Sequence, residues 1–168
     1  MKKDSRAKRK RQFAQITDEE QARLFAITAN VKTLTDARRI LEVIARHGIH
    51  PQLWVTGSGA ATKDAAEQEA LLAAEVARLR PILDAAAKLG CKVGLYNHGG
   101  WFGEPENQLA VLERLRRDGA AHVGLVYNFH HGHDHLDQFA EFWPKIQRHV
   151  LAVNLNGNGV ASVIRLTG

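Results

Sequence analysis

Short runs of apolar residues alternate along this chain with longer segments of helical periodicity. The short runs contain few polar residues, as is typical of strands covered on both faces. In the longer segments apolar residues recur at three- and four-residue spacing, and Gly48, Gly90 and Gly119 stand where helices should end. Regular alternation of strand and long helix favours right-handed crossovers and a parallel sheet. The pattern predicts an α/β protein built from a βα repeat, either open and doubly wound or part of a barrel.

The predicted elements follow each other in a regular order. The strands are 52–56, 92–97, 122–128 and 150–155. Thr17 and Glu20 have the spacing of a capping box that opens an early helix, and Thr62 can cap the longest helix. Pro81 and Pro144 fall inside helical runs, so we expect a kink or a break at each.

Asparagines end three of the predicted strands, and each is followed closely by other polar residues. Histidine and glycine follow Asn97 and Asn128, while Asn154 is followed by Asn156 and Gly157. Asn, His and Gly also form ordinary turns at strand ends. Three such junctions in register favour a binding site, because the carboxyl edge of a parallel sheet is where α/β proteins bind ligands.

The charge of the chain is concentrated at its start. The net charge is +5, but residues 1–11 hold seven basic residues against the single acid Asp4, so the rest is near −1. Such a segment can bind nucleic acid, but no basic patch interleaved with aromatic residues supports this elsewhere, and a solvated tail is favoured. We expect residues 1–16 to be a basic disordered tail, 17–157 a single folded domain and 158–168 an irregular C-terminal segment.

Two features bear on the compartment in which the chain works. No apolar run is long enough to cross a membrane, and no apolar segment of a signal peptide follows the basic start. The single cysteine, Cys91, excludes an internal disulfide. A reducing cytoplasm is the expected location.

Three segments around the predicted strand ends carry a family resemblance. They read KVGLYNHGGWFGEPENQ, HVGLVYNFHHGHDH and LAVNLNG. Together they resemble the xylose isomerase-like TIM barrels, a superfamily that includes sugar phosphate isomerases and epimerases and endonuclease IV-type enzymes. The similarity runs from about Asp36 to Gly157 and implies a partial (β/α) TIM-type barrel with about four parallel strands. Because the family's barrel has eight strands, the chain resembles a barrel fragment truncated at both ends.

The resemblance also implies a divalent metal at the strand ends, held in the family by carboxylates and histidines. Here Tyr96 stands in place of the family's glutamate, Asn128 in place of an aspartate and Asn154 in place of a histidine. His131 is the one retained ligand. Since amide oxygens carry no negative charge, we expect at most a weakly held Zn, Mn or Mg ion, centred on His131 with help from His133 or Asn128.

The resemblance implies an isomerase or epimerase acting on a small, sugar-like substrate with many hydroxyl groups. That chemistry needs a base near neutral pKa and a group that stabilises a developing oxyanion. The candidate catalytic residues are His98, Glu104 and His131. Candidate substrate-binding residues are the amides and the indole at these strand ends: Asn97, Trp101, Asn128, Asn154 and Asn156.

Structural explanations stay open for several of these residues. Glu104 precedes Pro105 and can simply cap a helix, and Trp101 with Phe102 can be the core of a long loop. The histidines from His130 to His135 can form a polar surface loop instead of a metal site. Two functional classes also stay open: an isomerase or epimerase, and a non-catalytic binding domain or truncated remnant of such an enzyme.

A further expectation concerns assembly. Four strands cannot close a barrel, so the strands at 52–56 and 150–155 should be left as edges unless other segments cover them. We therefore expect a homo-oligomer, a dimer that completes the barrel between chains, or aggregation.

Overall fold

The structure is a computed structural model that describes residues 34–155, without the side chains of Leu34 and Asp36. Asn156, the basic N-terminal segment, the helix predicted from Thr17 and the segment 158–168 lie outside the described residues.

Helices and strands alternate through the described chain. They are α1 (Leu34–His47), β1 (Leu53–Val55), α2 (Ala65–Lys88), β2 (Val93–Tyr96), α3 (Gly100–Gly103), α4 (Pro105–Arg117), β3 (Val123–Asn128), α5 (Phe139–Ile146) and β4 (Val150–Asn154). Two 3₁₀ segments flank α5, at His133–Gln138 and Gln147–His149. None of the helices described between residues 34 and 155 is long and apolar enough to span a membrane.

The four strands form one parallel sheet in the order β1-β2-β3-β4. The predicted strands and their parallel pairing are confirmed, and Asn128 lies directly opposite Asn154 at the carboxyl edge. A register shift between Leu125 and Val126 adds an irregularity where β3 meets β4. A doubly wound sheet reverses its strand order at a switch point. The described strands follow chain order without a reversal, so the doubly wound alternative is not observed in this part of the chain.

The core lies between the sheet and the helices. Alternate strand residues face the helices because successive side chains of a strand point to opposite faces. Leu53, Val93 and Val123 lie in register and are each at most 1% exposed. Leu79 and Leu112, from α2 and α4, are fully buried in the same cluster. Burying a side chain of this size contributes about 1.5–3 kcal/mol, so this layer holds the strand ends in place.

Details of two helix predictions differ in the structure. Asp64, and not Thr62, caps α2, since its Oδ1 accepts a hydrogen bond from the Glu67 amide at 2.9 Å. The hydroxyl of Thr62 donates instead to the side chain of Gln68. A kink or a break was expected at Pro81 and at Pro144. No break is seen, because α2 continues through Pro81 as one 24-residue helix and α5 continues through Pro144.

Strand β4 is an edge of the sheet within the described residues. It pairs with β3 on one side, and Val153 and Leu155 are 45% and 73% exposed. The expected open edge at this strand is therefore present in the part of the chain that the structure describes.

Candidate site at the carboxyl edge of the sheet

Two buried asparagines join the ends of β2 and β3. The Asn97 Nδ2 donates to the Asn128 carbonyl at 3.1 Å, and the Asn128 amide donates to the Asn97 Oδ1 at 2.7 Å. The side chain of Asn97 thus continues the strand pairing where the backbone ladder stops. Asn97 and Asn128 are only 2% and 0% exposed. Both residues predicted to bind substrate serve the strand ends in this structure, and their substrate contact stays a prediction.

The side chain of Asn128 links two neighbours at the same edge. Its Oδ1 accepts a hydrogen bond from the His130 amide at 2.9 Å, and its Nδ2 donates to the Tyr96 hydroxyl at 2.5 Å. The oxygen predicted to help bind a metal is therefore engaged by a backbone amide. Because a backbone amide can only donate, this contact also determines which end of the Asn128 amide faces Tyr96.

Aromatic rings gather around Tyr96. Trp54 of β1 stacks on it with ring centroids 5.4 Å apart, and His131 meets it edge-on at 5.6 Å. The ring centroids of His98 and His131 are 4.5 Å apart, again edge-on, and those of His130 and His131 are 5.1 Å apart. We call Trp54, Tyr96, His98, His130 and His131 the ring cluster. It brings the predicted catalytic residues His98 and His131 together.

Trp54 and Tyr96 of the ring cluster were not predicted from the sequence to be site residues. Trp54 alternates with Leu53 and Val55, which indicates that its side chain points to the opposite face of the sheet. Tyr96 ends its strand directly before Asn97. The sequence therefore indicated where each side chain lies on its own strand. It did not indicate which ring each one contacts, because that depends on the register between neighbouring strands.

The imidazole of His131 is held in its neutral form. Desolvation by burial is the main cause that lowers its pKa, and the charges that His98 and His130 can carry lower it further. At neutral pH the ring therefore has a nitrogen lone pair able to accept a proton.

Glu104 lies at the start of α4, but its carboxylate does not cap that helix. Its Oε2 instead contacts the His135 Nε2 at 2.6 Å, which ties the loop after β2 to the 3₁₀ segment after β3. A groove of about 200 Å³ beside this pair is lined in part by Phe142 and Lys145. Glu104 thus pairs with His135, whereas His98 contacts other members of the ring cluster.

Trp101 and Phe102 belong to the core. They are 3% and 0% exposed, and the Trp101 indole donates to the Gln68 side chain at 2.6 Å. Of the two interpretations of this pair, the structure agrees with core packing. Trp101 has no exposed face with which to stack on a sugar ring.

The donor set does not fit a divalent metal. Within residues 34–155, no three His, Cys, Asp or Glu side chains are arranged to hold an ion. His133 is exposed and its ring lies beside His130, at 5.8 Å. Without a carboxylate near His131, the predicted metal gains no charge compensation here.

The last predicted asparagines are placed differently. Asn154 ends β4 and is partly buried. Its backbone carbonyl accepts a hydrogen bond from the Phe129 amide at 3.1 Å. Its side chain lies opposite Asn128 in register, next to the candidate site. Asn156 lies beyond the described residues.

Comparison of the chain with protein-family models, with curated proteins and with solved structures finds no match.

Proposed function

We propose that this protein is a sugar isomerase- or epimerase-like enzyme, and that it binds a small sugar or sugar phosphate at the carboxyl ends of its strands. The proposal includes a (β/α) TIM-type barrel to which the four described strands belong. The observation that carries it is the ring cluster, in which the imidazoles of His98 and His131 and the phenol of Tyr96 lie together at the carboxyl edge. The resemblance of the strand-end segments to xylose isomerase-like barrels supports the same class of substrate.

His131 is the proposed base. Isomerisation or epimerisation starts when a base removes a proton from the carbon beside a carbonyl, and the base must be unprotonated at working pH. Desolvation keeps the pKa of His131 below its usual range, so it meets this requirement. In isomerisation the imidazole returns the proton to the neighbouring carbon, while the hydroxyl proton of the first carbon passes to the former carbonyl oxygen. In epimerisation the opposite face of the same carbon takes a proton that comes from solvent, and His131 releases the proton it removed to solvent.

His98 and Glu104 have separate roles in this proposal. His98 is exposed and lies against His131, so it faces the same ligand. Glu104 acts as a positioning residue, because its contact with His135 holds the loop that carries His131. No step is assigned to a metal ion, since the residues near His131 do not fit one.

Hydrogen exchange tests the enzyme proposal. The full chain is incubated in D₂O with a panel of tetroses, pentoses and hexoses and their phosphate esters, and deuterium at the carbon beside the carbonyl is followed by NMR. We expect exchange with at least one sugar, and we expect His131→Gln to slow it about 10²-fold. His47→Gln is the matched control, because His47 is an exposed histidine at the end of α1.

Two results would contradict the proposal. Exchange that is equally fast in His131→Gln would assign the base elsewhere, and no exchange with any sugar would remove the catalytic proposal.

The second candidate is a non-catalytic sugar-binding domain or a remnant of such an enzyme. The burial of Asn97 and Asn128 favours it, because both amides serve the fold. Sugar-dependent NMR shifts at the carboxyl edge without deuterium incorporation would support this second function. A cytoplasmic location stays a prediction under either function.

A further inference from the structure

We propose that Tyr96 is a catalytic residue of this site, and that its phenol donates a hydrogen bond to the substrate oxygen that becomes negatively charged. The inference rests on the proposed function and adds to it the group that stabilises the oxyanion. Tyr96 occupies the position at which the resemblance would place a carboxylate, so its role differs from that of a metal ligand.

The argument begins with the orientation of the Asn128 amide. The His130 backbone amide is a donor, so the Asn128 atom that it contacts at 2.9 Å must be the oxygen. The Asn128 NH₂ group is then the end that faces the Tyr96 hydroxyl, at 2.5 Å. In this contact the phenol oxygen is the acceptor.

A phenol oxygen that accepts a hydrogen bond keeps its own proton for another partner. Within the described residues, the Tyr96 hydroxyl has no acceptor for that proton. The ring is partly buried and contacts both Trp54 and His131, which restricts its rotation. The result is a donor held in position before a ligand arrives, which is the property that makes oxyanion stabilisation effective.

In the proposed reaction, Tyr96 stabilises the negative charge that develops on a substrate oxygen. When His131 takes the proton from carbon, the electron pair of that C–H bond moves into the carbonyl group and leaves an enediolate oxygen. Tyr96 donates to this oxygen and keeps its proton throughout. The enediolate oxygen loses its negative charge when His131 returns the proton to carbon. The ring centroids of Tyr96 and His131 are 5.6 Å apart, so the proposed donor and the proposed base are neighbours at the carboxyl edge.

Tyr127 provides an internal control, because the sequence contains only two tyrosines. Its hydroxyl is buried, has no hydrogen-bond partner among residues 34–155, and lies close to Gly132. Burial raises the pKa of Tyr127 to about 12. Tyr96→Phe and Tyr127→Phe each remove one oxygen, but only the first removes it from the candidate site.

The test compares charged and neutral probes. Aldonohydroxamates of four, five and six carbons imitate the enediolate, and the alditols of the same lengths imitate the uncharged sugar. Binding to the full chain is measured by calorimetry at a pH above the pKa of the hydroxamic acid, so that this probe carries its charge, and in EDTA, so that it cannot act through a contaminating metal. We expect Tyr96→Phe to weaken hydroxamate binding about tenfold or more, since a hydrogen bond to a charged group is lost. Alditol binding should be nearly unchanged, and Tyr127→Phe should change neither.

A second measurement uses protein labelled with 3-fluorotyrosine. Its two ¹⁹F signals are assigned with the two phenylalanine variants, and the hydroxamate should shift the Tyr96 signal and leave the Tyr127 signal in place. If Tyr96→Phe does not fold, Tyr127→Phe assigns both signals by loss of its own, and the shift alone decides.

The outcomes separate the two proposals. Hydroxamate binding that is equal in Tyr96→Phe and the wild type, equal loss of both probe types, or an unmoved Tyr96 signal would overturn the role of Tyr96 alone. A wild-type chain that binds neither probe class would overturn the proposed function and this inference together.

Discussion

At Asn128 one residue forms hydrogen bonds with several neighbours. Its backbone amide is bound by Asn97, its side-chain oxygen by the His130 amide, and its side-chain NH₂ group by the Tyr96 hydroxyl. The geometry of the ring cluster therefore depends on a side chain that is itself fully buried. An unpartnered buried amide costs about 1–3 kcal/mol, which explains why all of these contacts form together.

His131 provides a prediction at the residue scale. Its pKa in the folded chain lies below the ordinary histidine value of about 6.5, with desolvation as the main cause, so the folded state favours the neutral ring. The stabilisation this provides is present above about pH 6.5 and is lost as the pH falls through the folded pKa. We expect the wild type to lose more thermal stability than His131→Gln between pH 7 and pH 5.

The pH experiment has two controls. His47→Gln should keep the wild-type dependence. His149 also has a lowered pKa, mainly through desolvation and then through Arg116 and Arg148, so part of the dependence should remain in His131→Gln. Identical losses of stability in His131→Gln and the wild type would exclude the assigned role of His131.

At the scale of elements, the loops after β1 and β2 are joined through their backbones. The Trp101 amide donates to the Gly59 carbonyl at 2.9 Å, and Gly100 has a φ of +63°. A Cβ at Gly100 would lie 2.8 Å from the same Gly59 oxygen. The approach of these loops, and with it the position of α3, requires glycine at residue 100.

Gly100→Ala tests this contact. We expect it to lower the free energy of unfolding by about 2–3 kcal/mol, from left-handed strain together with the overlap on a backbone atom. Gly48→Ala is the matched control, because Gly48 has a nearly equal φ of +61° and its Cβ position would meet no atom of the described residues within 4 Å. It should cost about 1–2 kcal/mol, from left-handed strain alone. Urea unfolding measures both, and equal costs would show that the loop contact adds nothing to the strain.

At the scale of the whole molecule, β4 is the edge strand of the described sheet that is flanked by exposed apolar side chains. Val153 and Leu155 expose apolar surface beside backbone groups that have no strand partner on that side within residues 34–155. Such an edge favours pairing with another strand. The homo-oligomer predicted from the strand count stays a prediction, and this edge is its proposed contact.

Light scattering at low micromolar concentration tests the assembly. We expect the full chain to form dimers, and we expect Val153→Lys with Leu155→Lys to shift it towards monomers, because lysine at an edge strand opposes pairing. Val43→Lys on α1 is the control, since Val43 is 46% exposed, nearly the same as Val153. A monodisperse wild-type monomer, or an equal effect of Val43→Lys, would contradict the role of this edge.

The order of strands and helices was available in the sequence because its signals are local. Apolar runs, helical spacing and terminal glycines act within one element, and they predicted all four strands to within a few residues. Parallel pairing followed from the long crossovers, which brought Asn97, Asn128 and Asn154 to one edge. The sequence also indicated two of the residues that meet there, His98 and His131.

The partner of each side chain was decided only by the tertiary structure. Asn97 forms a hydrogen bond with Asn128, which lies 31 residues away in the sequence. Glu104 contacts His135 at the same separation, whereas the sequence allowed Glu104 to be a helix cap. The stacking of Trp54 on Tyr96 depends on the register of β1 against β2. Such contacts depend on how separate elements pack, and a one-residue change of register would turn each side chain to the other face. For that reason the sequence determined which edge carries the candidate site, whereas the packing of its strands decided which side chains remain available to a ligand.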